Sequence, residues 1–187
     1  MNHSGSFSTQ TAAWSSLDPT EKGFECVWLK EQRATGSLLR LDEDKNPLRL
    51  VYEFCWNSAF QVEAARIQTQ KENRTLELDL RYDRGWYKGE ERLTEFDACT
   101  DLDLWPTPLT NTFAIRRLNL AIGEKKSFQT LLIHGPTLQF RKVSQIYTRL
   151  DEHHYLFEDP AANFRARLQV DDQGLIMHYP ELFVREA

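Results

Sequence analysis

Leu48-Arg49-Leu50-Val51-Tyr52-Glu53-Phe54-Cys55-Trp56 puts a large apolar residue at every even position. A strand sends successive side chains to opposite faces, so this stretch is a half-buried strand with Leu48, Leu50, Tyr52, Phe54 and Trp56 facing inward. The same period governs Leu76, Leu78, Leu80 and Tyr82, which alternate with Thr75, Glu77, Asp79 and Arg81. It returns in Phe164, Ala166, Leu168 and Val170, and Leu138, Phe140, Ile146 and Leu150 share one parity in a longer segment. One apolar face and one wet face is the pattern of antiparallel sheets. Residues 42–47, the Asp83-Arg84-Gly85 turn and residues 171–174 supply the Gly, Asp and Asn that hairpins require.

One segment breaks the alternation. Ile115, Leu118 and Ile122, and likewise Ala114, Leu118 and Ala121, are spaced by three and four, which predicts a helix over about residues 110–122. Thr110 or Asn111 is placed to cap its start and Gly123 to end it. The fold class that follows is mainly β: a single domain in which a large curled antiparallel sheet wraps around one α-helix. The polar stretch 1–13 reads as a flexible lead-in, leaving 14–187 as the domain.

The 187 residues carry 23 Lys and Arg against 28 Asp and Glu, a net charge of −5. That balance argues against a general nucleic-acid binder, which needs surplus cations for phosphates. Apolar runs are only a few residues long, against the roughly 20 of a membrane-spanning helix. With no signal-like start, the expected location is cytoplasmic. Cys26, Cys55 and Cys99 are odd in number and widely spaced, which suits neither a disulfide framework nor a zinc site.

Several groupings offer chemistry. Asp42, Asp44, Asn46 and Glu53 match a calcium-loop spacing, but Pro47 stands where that loop needs Gly, and the flanks are strands; a hairpin tip is the better reading. Asp97, Asp101 and Asp103 fall on one side of an extended segment, where they would raise one another's pKa or hold a hard cation; a polar sheet face, or pairing with Arg116 and Arg117 of the helix, is the better reading. The histidines show no H-x-x-x-H or H-E-x-x-H spacing, and no G-x-S-x-G or phosphate-binding glycine loop is present. No metal and no cofactor are expected. Five Trp, six Tyr and eleven Phe supply a core and rings to line a pocket, with Trp86 and Trp105 near loop ends.

Residues 97–118 are distinctive. Cys99-Thr100-Asp101-Leu102-Asp103-Leu104, then Thr107-Pro108-Leu109-Thr110-Asn111-Thr112, then Ile115-Arg116-Arg117-Leu118, resembles the signature of the bacterial putative glycolipid-binding family, formerly a domain of unknown function. Trp14, Gly85-Trp86, Gln145 to Leu150, and Val170 through Gly174 to Tyr179-Pro180 follow in that family's order. Ala98 and Ala114 stand where the family pattern has Gly and Pro. The resemblance implies a spiral β-roll similar to bacterial lipoprotein carriers, which hold acyl chains in a half-open barrel.

The leading reading is a non-enzymatic protein that holds a glycolipid or other amphipathic small molecule. Trp86 and Trp105 would flank the mouth, and Asn111, Arg116 or Arg117 would meet the head group. An internal ion pair of the arginines with Asp101 and Asp103 competes with that role and is slightly favoured. A second reading is a small enzyme using Asp97, Asp101 or Asp103 with Arg116 or His134. A third is a homodimer built on unpaired sheet edges.

Overall fold

The computed structural model describes residues 6–42 and 44–187. Along the chain run β1 (Phe7–Ser16), β2 (Gly23–Glu31), β3 (Arg33–Leu41), β4 (Pro47–Trp56), β5 (Val62–Lys71), β6 (Arg74–Tyr82), β7 (Trp86–Lys88) and β8 (Glu91–Arg92). A 3₁₀ turn (Thr94–Phe96), β9 (Cys99–Trp105) and the helix α1 (Leu109–Leu118) follow. β10 (Lys125–His134), β11 (Gln139–Arg149), β12 (His154–Asp159), β13 (Phe164–Val170), β14 (Ile176–Tyr179) and β15 (Phe183–Arg185) complete the series.

All these strands belong to one sheet in the order β8-β7-β6-β5-β4-β3-β2-β1-β15-β14-β13-β12-β11-β10-β9. The first and last strands meet in its middle, where Trp14 pairs with Arg185 and Ser16 with Phe183. From that seam, hairpins step outward to the edge at β8 in one direction and to β10 in the other, where β9 forms the far edge. The sheet is rolled so that its far ends touch. Trp86 of β7 donates its indole N–H to the carbonyl of Cys99 in β9 at 2.9 Å, and the Gln61 side chain reaches the Thr100 carbonyl at 3.3 Å. These bonds also cover part of the β9 edge, and β8 is only two residues long, both common protections of sheet edges.

The rolled sheet encloses α1, whose residues from Leu109 to Ile115 are all buried. Phe113 packs on Trp56 and Phe54 at ring separations of 5.0 and 5.8 Å, while Phe7 stands edge-on to Trp56 and Phe60. The mainly-β roll around one helix is therefore the observed fold, with one departure from an all-antiparallel sheet. β9 and β10 run parallel, because α1 carries the chain back before β10 begins.

Three sequence expectations need correction. Residues 7–13 are not a lead-in: they belong to β1, with Phe7, Ala12 and Trp14 buried. A register shift between Phe7 and Gln10 interrupts the alternation that would have revealed the strand. Residues 1–5 of the expected lead-in lie outside the described residues.

The helix ends at Leu118, not at residue 122. Asn119 adopts a left-handed φ of 43° and donates its N–H to the Ile115 carbonyl, which is the role expected of Gly123. Leu120 then turns into the core, and Ile122 is 64% exposed. At the start, neither Thr110 nor Asn111 caps; Thr107 Oγ1 accepts the Leu109 N–H at 3.1 Å.

In β11 the buried parity is odd, with Val143, Gln145 and Tyr147 inside. Leu138 lies in the preceding turn at a φ of 54°, and Phe140 rests edge-on against Phe96 of the 3₁₀ turn. This corner of the sheet is covered on both faces, as the consecutive burial of Thr130 and Leu131 in β10 requires, so apolar residues no longer mark the inner side.

Candidate functional site

A cavity of about 810 Å³ opens between the β9–β10–β11 end of the roll and the β12–β15 segment. That is within the ~300–1,000 Å³ typical of small-molecule sites. Its walls include Trp105, Leu132, Phe157, Phe164 and Phe183. Its polar lining includes Asp103, Asn111, Gln145, Asp159 and Tyr179, and at the mouth stand the exposed His134 and Arg141.

Each polar group of the interior is set by an element end or an inward strand position. Asp103 lies on β9, where Oδ1 accepts from the Thr110 hydroxyl at 2.5 Å and Oδ2 from the Gln145 amide at 2.7 Å. Burial pushes its carboxyl up, with its hydrogen bonds opposing and the Asp159 charge adding a smaller push. Asn111, on the first turn of α1, accepts the Tyr147 hydroxyl at 2.8 Å and donates to the Pro108 carbonyl at 3.2 Å. Asp159 closes β12 and accepts the N–H groups of Ala161 and Ala162. Trp105 precedes a cis peptide bond to Pro106, and the Arg40 guanidinium lies 5.5 Å from its ring centre.

Of the residues singled out from sequence, Asp103, Trp105, Asn111 and, at its mouth, His134 line this cavity. The others do not. Trp86 is 0% exposed and buried in the core. Asp101 and Arg117 form a two-point pair, with both nitrogen–oxygen distances 2.6 Å, and Thr100 donates to the same carboxylate. Arg116 donates to the Gln173 carbonyl at 2.8 Å and lies over the Phe60 ring at 4.5 Å. Asp97 pairs with Arg92 on the outside of the roll. The acidic cluster is thus not one site: Asp97 precedes β9, Asp101 ties the strand to the helix, and only Asp103 reaches the cavity. The hairpin at residues 42–47 is organised by Asp42, which accepts from the backbone of Asp44 and Asn46 and pairs with Lys71.

Beside the cavity runs a buried polar relay. Tyr52 donates to Glu25 and lies 3.3 Å from Thr107, which lines the cavity. The reach is made by Gly36. A Cβ there would sit 2.0 Å from the Tyr52 ring, so only glycine lets the tyrosine cross β3 from β4 to Glu25 on β2. Glu25 Oε2 has no hydrogen-bond partner among the described residues, and burial pushes the carboxyl up to about 7 against the bonds from Thr107 and Tyr52.

Comparison with known proteins fits this architecture. The family model described as "Putative glycolipid-binding" matches residues 11–185. The chain belongs to this family. A crystal structure of a DUF1089 family protein from Pseudomonas aeruginosa is similar to it throughout. The two are 40% identical, the likeness covers 88% of this chain and 92% of that one, and the TM-score is 0.85. No curated protein matches the chain.

In this member of the family, sequence reasoning missed Gln145, Asp159 and Tyr179. Gln145 was hidden by the parity error in β11. Asp159 sits where β12 turns towards β13, a position that reads as ordinary turn chemistry. Tyr179 follows the exposed Met177 and His178 on a strand too short to display a period. The usable signal was a polar residue at an inward position, which a buried site requires and a plain core does not. Among the described residues, no helix is long and apolar enough to cross a membrane, and no group of three or more His, Cys, Asp or Glu is arranged to hold a metal ion.

Proposed function

We propose that the protein binds an amphipathic small molecule, a glycolipid by the description of its family, in the cavity of the roll, and performs no chemistry on it. The observation that carries this reading is the cavity itself: about 810 Å³, with aromatic walls and a cluster of buried polar groups in one space. Apolar walls favour hydrocarbon by about 0.8 kcal/mol for each CH₂ removed from water. The polar groups supply what hydrocarbon cannot satisfy. Of the enzyme alternative's residues, Asp103 and His134 line the cavity, while Asp97 and Asp101 are paired with Arg92 and Arg117 and Arg116 is bonded to the Gln173 carbonyl.

Trp105 provides the test. Octyl β-glucoside, titrated below its micelle concentration, is expected to change the tryptophan emission saturably. In Trp105→Phe that change is expected to disappear, while a thermal shift persists. A wild-type protein with neither an emission change nor a thermal shift up to millimolar ligand would count against the reading.

A further inference from the structure

Burial orders the cavity lining by chemistry. Asn111, Gln145, Asp159 and Tyr179 are all at least nine-tenths buried, whereas His134 and Arg141 at the mouth are exposed. The deep end is polar and acidic. Asp103 and Asp159 both face it, and among the cavity's lining residues no Lys or Arg other than Arg141 offers a countercharge.

Tyr179 adds the second observation. It is 6% exposed and lines the cavity, yet its hydroxyl makes no hydrogen bond to any described residue. Its ring is held by Phe157, Phe164 and Phe183, at centroid separations of 6.2–6.3 Å. Both carboxylates act on it: after burial, the charges of Asp103 and Asp159 push the phenol up. The Tyr179 hydroxyl opens on the cavity and is left to whatever fills it, as are the unused lone pairs of the carboxylates. Asp103 accepts two side-chain donors and the Leu104 N–H, and a carboxylate offers about four acceptor sites. The carboxylates only accept, and the tyrosine hydroxyl accepts as well as donates, so the deep end presents acceptors that call for hydrogen-bond donors from outside the chain.

We propose that the ligand enters polar end first, and that the group it places between Asp103, Asp159 and Tyr179 donates hydrogen bonds and carries no negative charge. This rests on the ligand-binding reading above and specifies it. Sugar hydroxyls and an ammonium both fit such a site. A phosphate, sulfate or carboxylate head brings acceptors and like charge to a low-dielectric space that already holds two carboxyl groups. The aromatic walls then surround the first part of the hydrocarbon chain as it leaves towards the mouth.

Three probes of equal chain length, each below its micelle concentration, test this: octyl β-glucoside, octylammonium and octyl sulfate. Calorimetric titration is expected to rank the glucoside, the ammonium or both at least tenfold above the sulfate, and the stronger of the first two separates a sugar head from an amine. Tyr179→Phe keeps the ring packing and is expected to weaken the preferred probe about three- to tenfold, the worth of one hydrogen bond. Asp159→Asn retains an oxygen for the Ala161 and Ala162 N–H groups and is expected to weaken that probe while narrowing the sulfate gap. Sulfate binding as well as or better than both others would overturn the inference and leave the cavity reading standing. So would tight glucoside binding indifferent to both substitutions, which is the behaviour of a tail-first ligand. Failure of all three probes to bind would overturn both.

Discussion

Arg117→Met is expected to lower the unfolding free energy by about 2–4 kcal/mol, somewhat below the cost for a fully buried pair because the guanidinium is partly exposed. Asp101 is 5% exposed, and without Arg117 its carboxylate keeps only the Thr100 hydroxyl. The guanidinium holds both carboxylate oxygens at 2.6 Å and lies 5.2 Å from the Phe128 ring centre, so it joins α1 to β9 and to β10 together. Substituting both residues, Asp101→Asn with Arg117→Met, is expected to recover at least about 1 kcal/mol of that loss, since no charge is then left buried. Urea titrations of the four proteins measure both quantities. Strictly additive losses, each below about 1 kcal/mol, would mean the pair is not a structural tie and would reopen Arg117 as a head-group ligand.

The second large effect is a dependence on pH carried by Glu25. Its folded carboxyl titrates at about 7 against an ordinary 4.5, because burial favours the neutral form. The folded state therefore binds this proton more tightly than the unfolded chain. Its contribution is complete below pH 4.5 and is lost as pH rises to about 7, which at 1.36 kcal/mol per pKa unit amounts to roughly 3 kcal/mol. Glu25→Gln removes the titration and keeps an oxygen for the Tyr52 hydroxyl. The stability difference between wild type and Glu25→Gln should move in the variant's favour between pH 4.5 and 7 and be flat above. Taking the difference cancels Asp103, whose raised carboxyl slopes the same way, and Asp42, whose carboxyl is lowered first by Lys71 and slopes the other way. A constant difference across that window would mean Glu25 is already solvated in the fold.

The architecture was legible wherever one face of a strand is wet. The even positions from Leu48 to Trp56 are buried without exception. The seam strand β1 was not legible, because Ser, Thr and Gln fill it and a register shift breaks its period. β11 misled because its even-numbered Phe140 is covered from the other side, and α1 was drawn too long because Gly123 is a stronger stop signal than Asn119. The site was legible only in part, for a different reason. Asp101, Arg116 and Arg117 sit in the same motif as Asp103 and Asn111, and spacing cannot separate residues that dock a helix from residues that face the space beside it. The motif mostly builds the wall; Gln145, Asp159 and Tyr179, from strands remote in sequence, complete the interior.

The claim that this interior holds an amphipathic molecule is tested most directly by native mass spectrometry of protein purified without detergent, followed by extraction of whatever is bound. The expected spectrum carries a stoichiometric adduct that is lost on denaturation and is recovered as a lipid with a hydroxyl- or amine-bearing head. A bare polypeptide mass, unchanged after incubation with excess octyl β-glucoside, would contradict it.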